Sequence, residues 1–481
     1  MTGACDRLSP LDRYFLIYES PTAHMHVAGA SIFETGPLRR PDGGLDIDRI
    51  RGYIESRLSH IPRYRQIVSK TPLGALFWAD DPHFNLDYHV RHSSLPRPGA
   101  DAQLKALCGR VFSQALDRTK PLWEVWIVEG LAGGDEFALI SKIHHAMVDG
   151  VSAVDLLEVL LTHEPVTGFK PAEPWEPREG PTRRELAVSD VRALLQGPLD
   201  LVRRVPRHAA DAFKSQSDLR AAVRGLADLT LKTIRRPSRT PLNKPIGPHR
   251  RFDWLTMDLG ELKAVRRAFG GSINDLVLAI VAGGVRRFLQ HRGVSPDGIQ
   301  FRVMAPVSVR PQEARGELGN RVAAWMVPMP IGEPDPRRRL ALLQETTGRL
   351  KTEKNALGAQ LLTEMVGWTP ATLLSLAARV PWRDLPFNMI VTNVPGPQRA
   401  VYLLGAKMMT DYGLVPIAAY VGLGVTLVSY EGKLAWGFNA DWDVVPDLDV
   451  FVRCIDASFA EFRDLLPAQR NAAAPEARPS P

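Results

Sequence analysis

Two periods of hydrophobic and polar residues follow one another along the chain, and each change of period marks an element. Spacing near 3.6 residues predicts helices over Ile47 to Leu58 and Ala102 to Leu116. Trp123 to Val128 and Phe137 to Ile143 read as strands flanking Gly130-Leu131-Ala132-Gly133-Gly134-Asp135, a hairpin signal. A helix should follow over Ser152 to Leu160, with Ser152 as its cap and Asp155 completing a box-like start. Gly270 to Asp275 opens another helix, with Ile273, Leu276, Val277, Ile280, Val281 and Phe288 on one face. Val421 to Tyr430 and Leu434 to Ala440, joined through Glu431-Gly432-Lys433, predict a second hairpin. We find no tandem repeat.

From about Thr162 to Pro181 the composition shifts to Pro, Glu and Gly, and a basic stretch follows, broken by Pro198, Pro206, Pro237, Pro241, Pro245 and Pro248. This reads as a long crossover between two halves. Strands interleaved with helices on both sides of it predict two α/β units facing each other. The expected divisions are 1–165 for the first unit, 166–250 for the crossover, 251–468 for the second unit and 469–481 for a frayed Ala/Pro-rich tail.

The length of 481 residues suits two or three packed units. A hydrophobic share of 45% and a charged share of 23% exclude collagen-like, fibrous and wholly disordered classes. The net charge is +7, but Arg183 to Arg251 alone holds sixteen Lys/Arg against six Asp/Glu, so the basicity is regional. That region lacks interleaved aromatics or a recognisable nucleic-acid module, and no nucleic-acid partner is expected. Val188, Val191, Leu195, Leu199 and Val202 follow helical spacing beside Arg183, Arg184, Arg192, Arg203 and Arg204. Such a stripe suits either a membrane surface or a linker packed on the protein's own back, and Pro198 and Pro206 limit any continuous helix. Cys5, Cys108 and Cys454 are isolated thiols, fitting a reducing compartment. The first residues lack the layout of a signal peptide, and the longest charge-free run, Tyr412 to Tyr430, reads as strand and turn. A cytoplasmic location is expected, with membrane contact only peripheral, at the inner membrane face or a lipid droplet.

The most informative stretch is Lys142-Ile143-His144-His145-Ala146-Met147-Val148-Asp149-Gly150, where a predicted strand ends before a helix. Neighbouring strand residues point to opposite faces, so one ion could take both imidazoles only if the strand ended between them, and no metal is expected. A buried histidine pair satisfied by backbone is the plainer reading. Asp149 and Gly150, in a sharp turn at fixed spacing, favour a histidine held ready as a general base.

His144-His145-Ala146-Met147-Val148-Asp149-Gly150 resembles the HHxxxDG motif of CoA-dependent acyltransferases and peptide-synthetase condensation domains. Pro121-Leu122-Trp123-Glu124 resembles the PLW motif, Asn274-Asp275 the ND motif and Thr392-Asn393-Val394-Pro395-Gly396-Pro397 the NVPG motif. In this order they resemble the bacterial wax ester synthase/diacylglycerol acyltransferase family over about residues 9 to 465. Ser9-Pro10-Leu11-Asp12, Asp87-Tyr88-His89-Val90-Arg91 and Ala305-Pro306-Val307-Ser308-Val309-Arg310 add to the likeness. The resemblance implies two chloramphenicol-acetyltransferase-like domains, α+β two-layer sandwiches, facing each other across a tunnel. It also implies His145 as base, acyl-CoA as co-substrate with no further cofactor, and diacylglycerol or a long-chain alcohol as acceptor. The rivals are a condensation-type enzyme fed by carrier-protein thioesters and a non-catalytic lipid-binding protein on the same fold.

For the remaining positions two readings stand side by side. Asp149 either orients His145, as in a triad, or pairs with an arginine and holds the turn; the resemblance has the second, with Arg65 as first candidate and Arg310 as second. Trp123 and Glu124 either belong to the core or line an acceptor channel. Asn274 sits in helix-cap position with Asp275 at the positive helix end, so a cap and a substrate site explain that pair equally. Thr392 and Asn393 either present a donor to an oxyanion or form a rigid turn.

Overall fold

The computed structural model describes residues 6–147, 156–192, 237–308, 322–353, 385–417 and 419–466. The first half of the chain contains β1 (Asp6–Arg7), α1 (Pro10–Tyr18), β2 (His26–Glu34), α2 (Ile47–Arg57), β3 (Gln66–Lys70), β4 (Leu76–Asp80), α3 (Leu86–His89) and β5 (Val90–Ser94). It continues with α4 (Asp101–Ser113), β6 (Trp123–Leu131), β7 (Glu136–His144) and α5 (Leu156–Leu160). The second half contains β8 (Arg250–Asp258), α6 (Leu259–Phe269), α7 (Ile273–His291), β9 (Phe301–Ser308), β10 (Val322–Met329), α8 (Pro336–Glu353) and β11 (Met389–Pro395). After these come β12 (Tyr402–Leu403), β13 (Ala406–Leu414), β14 (Leu423–Tyr430), β15 (Lys433–Asp441) and α9 (Leu448–Asp464).

These strands form two six-stranded sheets, ordered β12-β13-β2-β7-β6-β5 and β10-β9-β11-β14-β15-β8, and a small sheet β1-β4-β3. The mixed α/β fold with two units is therefore as the alternation of periods predicts. Both expected hairpins are present, as β6–β7 and as β14–β15, the latter turning at Glu431 and Gly432 with φ of 43° and 76°. α2 ends one residue before its expected limit. α4 stops at Ser113, short of Leu116, because Gln114 is extended. The ammonium of buried Lys142 takes over there, donating to the carbonyls of Val111 at 2.9 Å and Gln114 at 3.0 Å. The predicted cap and box of the helix after the histidines, Ser152 and Asp155, lie outside the described residues.

The second unit is built around α7, whose residues Leu276 to Val285 are all buried in one apolar cluster with α6, α8, α9 and their sheet. Gly283 and Gly284 let α9 come close: a Cβ on Gly283 would lie 2.1 Å from Ser458 Oγ, and one on Gly284 2.4 Å from Ile455 Cδ1. The two halves are not separate along the sequence. β13 pairs antiparallel with β2, and Ser31 Oγ donates to Asp411 Oδ1 at 2.8 Å, so residues from the second half complete the first sheet. α4 lies on β8, where Leu104, Cys108, Val111 and Phe112 meet Phe252, Trp254, Tyr412 and Leu414. The described start of the crossover, up to residue 192, lies along the first unit, with Arg178 forked onto Asp80 at 2.8 and 2.9 Å and Arg7 on Asp190 at 2.7 Å, while Leu195, Leu199, Val202, Arg203 and Arg204 lie outside the described residues.

Candidate active site

His144 is the last residue of β7, and a 3₁₀ turn, His145–Met147, follows directly. The start of this turn is stitched to the segments that lead into both neighbouring strands: His144 N–H donates to Leu122 O at 2.9 Å, and His145 N–H donates to Met25 O at 2.8 Å. His144 is buried, and its Nδ1 accepts the N–H of Ala146 at 3.1 Å, which places its own proton on Nε2. Burial pushes its pKa down, outweighing the nearby Glu19, so the ring is neutral near pH 7. His145 is half-buried, and its ring stacks on Phe15 of α1 at 3.9 Å with 21° between planes. Neighbouring imidazoles thus have different surroundings, one enclosed and one at a partly open turn. Asp149, Gly150 and Arg310 lie outside the described residues.

Arg65 closes a 3₁₀ turn, Pro62–Arg65, and is buried. Its guanidinium lies 4.9 Å from the ring centre of Trp175 in the crossover and 5.8 Å from that of Phe84, and burial lowers its pKa. The PLW-like stretch forms the floor under the histidines. Pro121 and Leu122 lead into β6, and Trp123 is fully buried, donating from Nε1 to Tyr64 O at 2.7 Å and stacked on His89 at 4.6 Å. Glu124 is buried between the ammonium of Lys142 and Arg91, the latter at 3.2 Å. Trp123 and Glu124 are therefore core residues of the first unit.

The cap of α7 is Ser272, a correction to the expectation for Asn274, which is the second residue inside the helix. Ser272 wins because Asp275, three residues on, reciprocates: Ser272 N–H donates to Asp275 Oδ2 at 2.8 Å and Asp275 N–H to Ser272 Oγ at 3.2 Å. Asp275 Oδ1 accepts from Thr347 Oγ1 at 2.7 Å, so one oxygen holds α7 to α8 while the other closes the start of α7 itself. Thr392 and Asn393 are half-buried near the end of β11, paired with Thr426 and Leu427 of β14. The turn beyond is tight, since a Cβ on Gly396 would lie 2.3 Å from Ser429 O. These contacts fix both pairs within the second unit.

The sequence reading missed a cluster beneath the histidine turn. Glu19, the residue that ends α1, is half-buried with its side chain only 9% exposed, and it accepts from Arg118 Nε at 2.9 Å and Nη2 at 2.5 Å. Its Oε1 lies 3.2 Å from His26 Nε2 and 3.9 Å from His24 Nδ1, and its Oε2 lies 3.7 Å from His144 Nε2. Burial by itself raises the carboxyl's pKa, but His144, His26 and Arg118 outweigh it and hold Glu19 far below the usual carboxylate range. Desolvation in turn pushes His26 down to about 3 and lowers His24. The result is one buried anion, one arginine and three neutral imidazoles. Among the described residues no group of three such side chains is arranged to hold a metal ion. The available signal was the close pair His24-Met25-His26 ahead of a strand, next to the acidic end of a helix.

The catalytic-domain profile of the wax ester synthase/diacylglycerol acyltransferase family matches residues 8–277, and the family's C-terminal domain profile matches residues 318–463. A Mycobacterium tuberculosis protein provisionally named diacylglycerol O-acyltransferase is 32% identical over 457 residues, covering 93% of this chain and 88% of its own. A second from that organism, provisionally named diacylglycerol O-acyltransferase tgs1, is 30% identical over 472 residues, covering 95% of each. The solved wax ester synthase/diacylglycerol acyltransferase of Marinobacter aquaeolei superposes with a TM-score of 0.70 at 23% identity, covering 95% of this chain and 98% of that one. A condensation domain of the calcium-dependent antibiotic synthetase shares the fold more distantly, with a TM-score of 0.58 at 14% identity over 97% of each chain. The order of motifs, the two-sheet architecture and the spans of both profiles agree: this chain belongs to the wax ester synthase/diacylglycerol acyltransferase family and is an acyltransferase.

Proposed function

We propose that the chain transfers a long-chain fatty acyl group from acyl-CoA to the hydroxyl of diacylglycerol, with long-chain alcohols as a second acceptor and His145 as general base. The observation that carries this reading is the placement of His145, on a turn pinned through Met25 and stacked on Phe15, half-buried where His144 is enclosed. The names of the relatives support the choice of substrates. A thioester carbonyl is already electrophilic, so the acceptor needs mainly a place to put its proton. A neutral imidazole supplies one, worth typically about 10²–10⁴-fold. As the hydroxyl oxygen attacks, its proton passes to a ring nitrogen of His145 and the C–O bond forms. Collapse of the tetrahedral adduct breaks the C–S bond, and the CoA sulfur leaves with that proton. No metal, further cofactor or covalent acyl-enzyme is needed by this scheme.

A water-insoluble acceptor calls for peripheral work at an inner membrane face or lipid droplet, from the cytoplasmic side. The crossover supports it: Val188 and Val191, on the helical residues 183–192, are exposed, as is Leu73, whose N–H donates to Asp190 at 3.1 Å. Arg183, Arg184 and Arg192 on the same run suit an anionic surface. The test is purified protein with labelled palmitoyl-CoA against diacylglycerol, hexadecanol and monoacylglycerol, read by thin-layer chromatography. Triacylglycerol should be the main product, and His145→Ala should lower its formation at least about 10²-fold with an unchanged circular dichroism spectrum. Wax ester in clear excess would reverse the acceptor order, and an active His145→Ala would remove the base assignment.

A further inference from the structure

We infer that Glu19 is a positioning residue for the histidine turn: its buried carboxylate, anchored by Arg118, orients His144, and His144 in turn fixes the turn that presents His145. The inference deepens the reading of His145 as base and rests on it.

Three contacts run in series. Arg118 grips Glu19 through two nitrogens and is itself tied to α1 by an Nη2 bond to Leu16 O at 2.8 Å. The carboxylate then faces Nε2 of His144 at 3.7 Å, longer than a hydrogen bond, so the attraction is between the anion and the N–H dipole. That dipole has one orientation because the other ring nitrogen, Nδ1, accepts the N–H of Ala146. Ala146 is the middle residue of the 145–147 turn, so turning the His144 ring would release the backbone carrying His145. α1 acts on the same turn from a second point, one helical turn earlier, where Phe15 stacks on the His145 ring. Glu19 and Phe15 are four residues apart, the spacing that places side chains on one helix face. The helix therefore touches both imidazoles, one by charge and one by stacking.

Burial is costly for a carboxylate, and a purely structural site could hold Arg118 with Leu16 O and solvent, since that side chain is half exposed. What a purely structural pairing with Arg118 leaves unexplained is that the carboxylate also faces three imidazoles, His24, His26 and His144. A neutral glutamine retains an acceptor oxygen but loses the charge, while alanine loses both, and the two variants separate these contributions.

The experiment measures kcat, KM for palmitoyl-CoA and thermal unfolding for Glu19→Gln, Glu19→Ala, His144→Ala, Arg118→Ala, His145→Ala and the Glu19→Ala/His144→Ala pair. CoA release is followed with diacylglycerol as acceptor. Misplacing a catalytic group by about 1 Å can cost about 10²-fold, so Glu19→Ala should lose about that much in kcat with KM within about threefold. Glu19→Gln should fall between Glu19→Ala and the parent, and the double variant should be no slower than its slower single. Arg118→Ala, which removes the first contact of the series but not the carboxylate, should lower kcat in the same direction as Glu19→Ala and by less. Glu19 variants with kcat within twofold of the parent, beside an inactive His145→Ala, would overturn the inference while leaving the base in place, as would additive losses in the double variant. Activity in His145→Ala would remove the base reading and this one with it. Should Glu19→Ala not fold, Glu19→Gln decides by the same split.

Discussion

The floors of the two units are made of different material. The first unit buries His26, Glu124, Lys142 and His144 and largely encloses the Glu19 side chain, each facing a group of complementary character. The second unit places the run Leu276 to Val285 against an apolar face, and its buried charges, Arg339 with Glu461 and Arg250 with Asp441, sit toward the ends of its helices and strands. An apolar core is stabilised by area removed from water and fixes no proton. A buried polar set is less forgiving, because each member left without its partner carries a desolvation cost. The first unit accepts that sensitivity at the histidine turn, and the second supplies bulk, strands and caps.

The largest expected loss of stability comes from the polar floor. Lys142→Met leaves Glu124 with Arg91 alone and strips two carbonyls at the end of α4, and breaking such a buried pair costs about 3–5 kcal/mol. Denaturant unfolding should show this, and adding Glu124→Leu should restore part of it. A loss below about 1 kcal/mol would mean that the polar floor is no more sensitive than a surface pair. In the apolar unit, Gly283→Ala must push back Ser458 and Arg339, and overpacking of this kind costs about 1–3 kcal/mol. Turnover per folded molecule should not change, whereas a drop in kcat at full folding would tie the second core to the chemistry. Smallest is Trp123→Phe, which removes the Nε1 bond to Tyr64 O but keeps the stack, for about 1 kcal/mol. The ratio of triacylglycerol to wax ester should stay constant, and a shifted ratio would put Trp123 on an acceptor path after all.

Periodicity made α2, α4, α7, both hairpins and the two-unit α/β class legible, because each of those elements writes its buried face into neighbouring residues. The ordered motifs made the family legible. What stayed hidden is long-range. β13 is separated from β2 by nearly four hundred residues, and no local pattern says which sheet it joins. Glu19 was hidden for the same reason: it ends a short helix, and only the folded chain places it under His144, with Arg118 beside it. Asn274 was misread as a cap because Asn is a good capping type. Ser272 holds that place through a reciprocal bond with Asp275 that the spacing alone displays.

The exchange of β13 has a consequence for synthesis. While the ribosome is still making the crossover, β2 has β7 on one side and nothing on the other, a row of open N–H and C=O groups of the kind that invites pairing with another chain. That edge closes only after residue 414 has left the exit tunnel, and at roughly 5–20 residues per second the wait lasts tens of seconds. Chain order and folding order therefore differ in this protein: the unit that carries the histidines is translated first but finished late, and a nascent chain stalled in the crossover would be exposed to aggregation and dependent on chaperones.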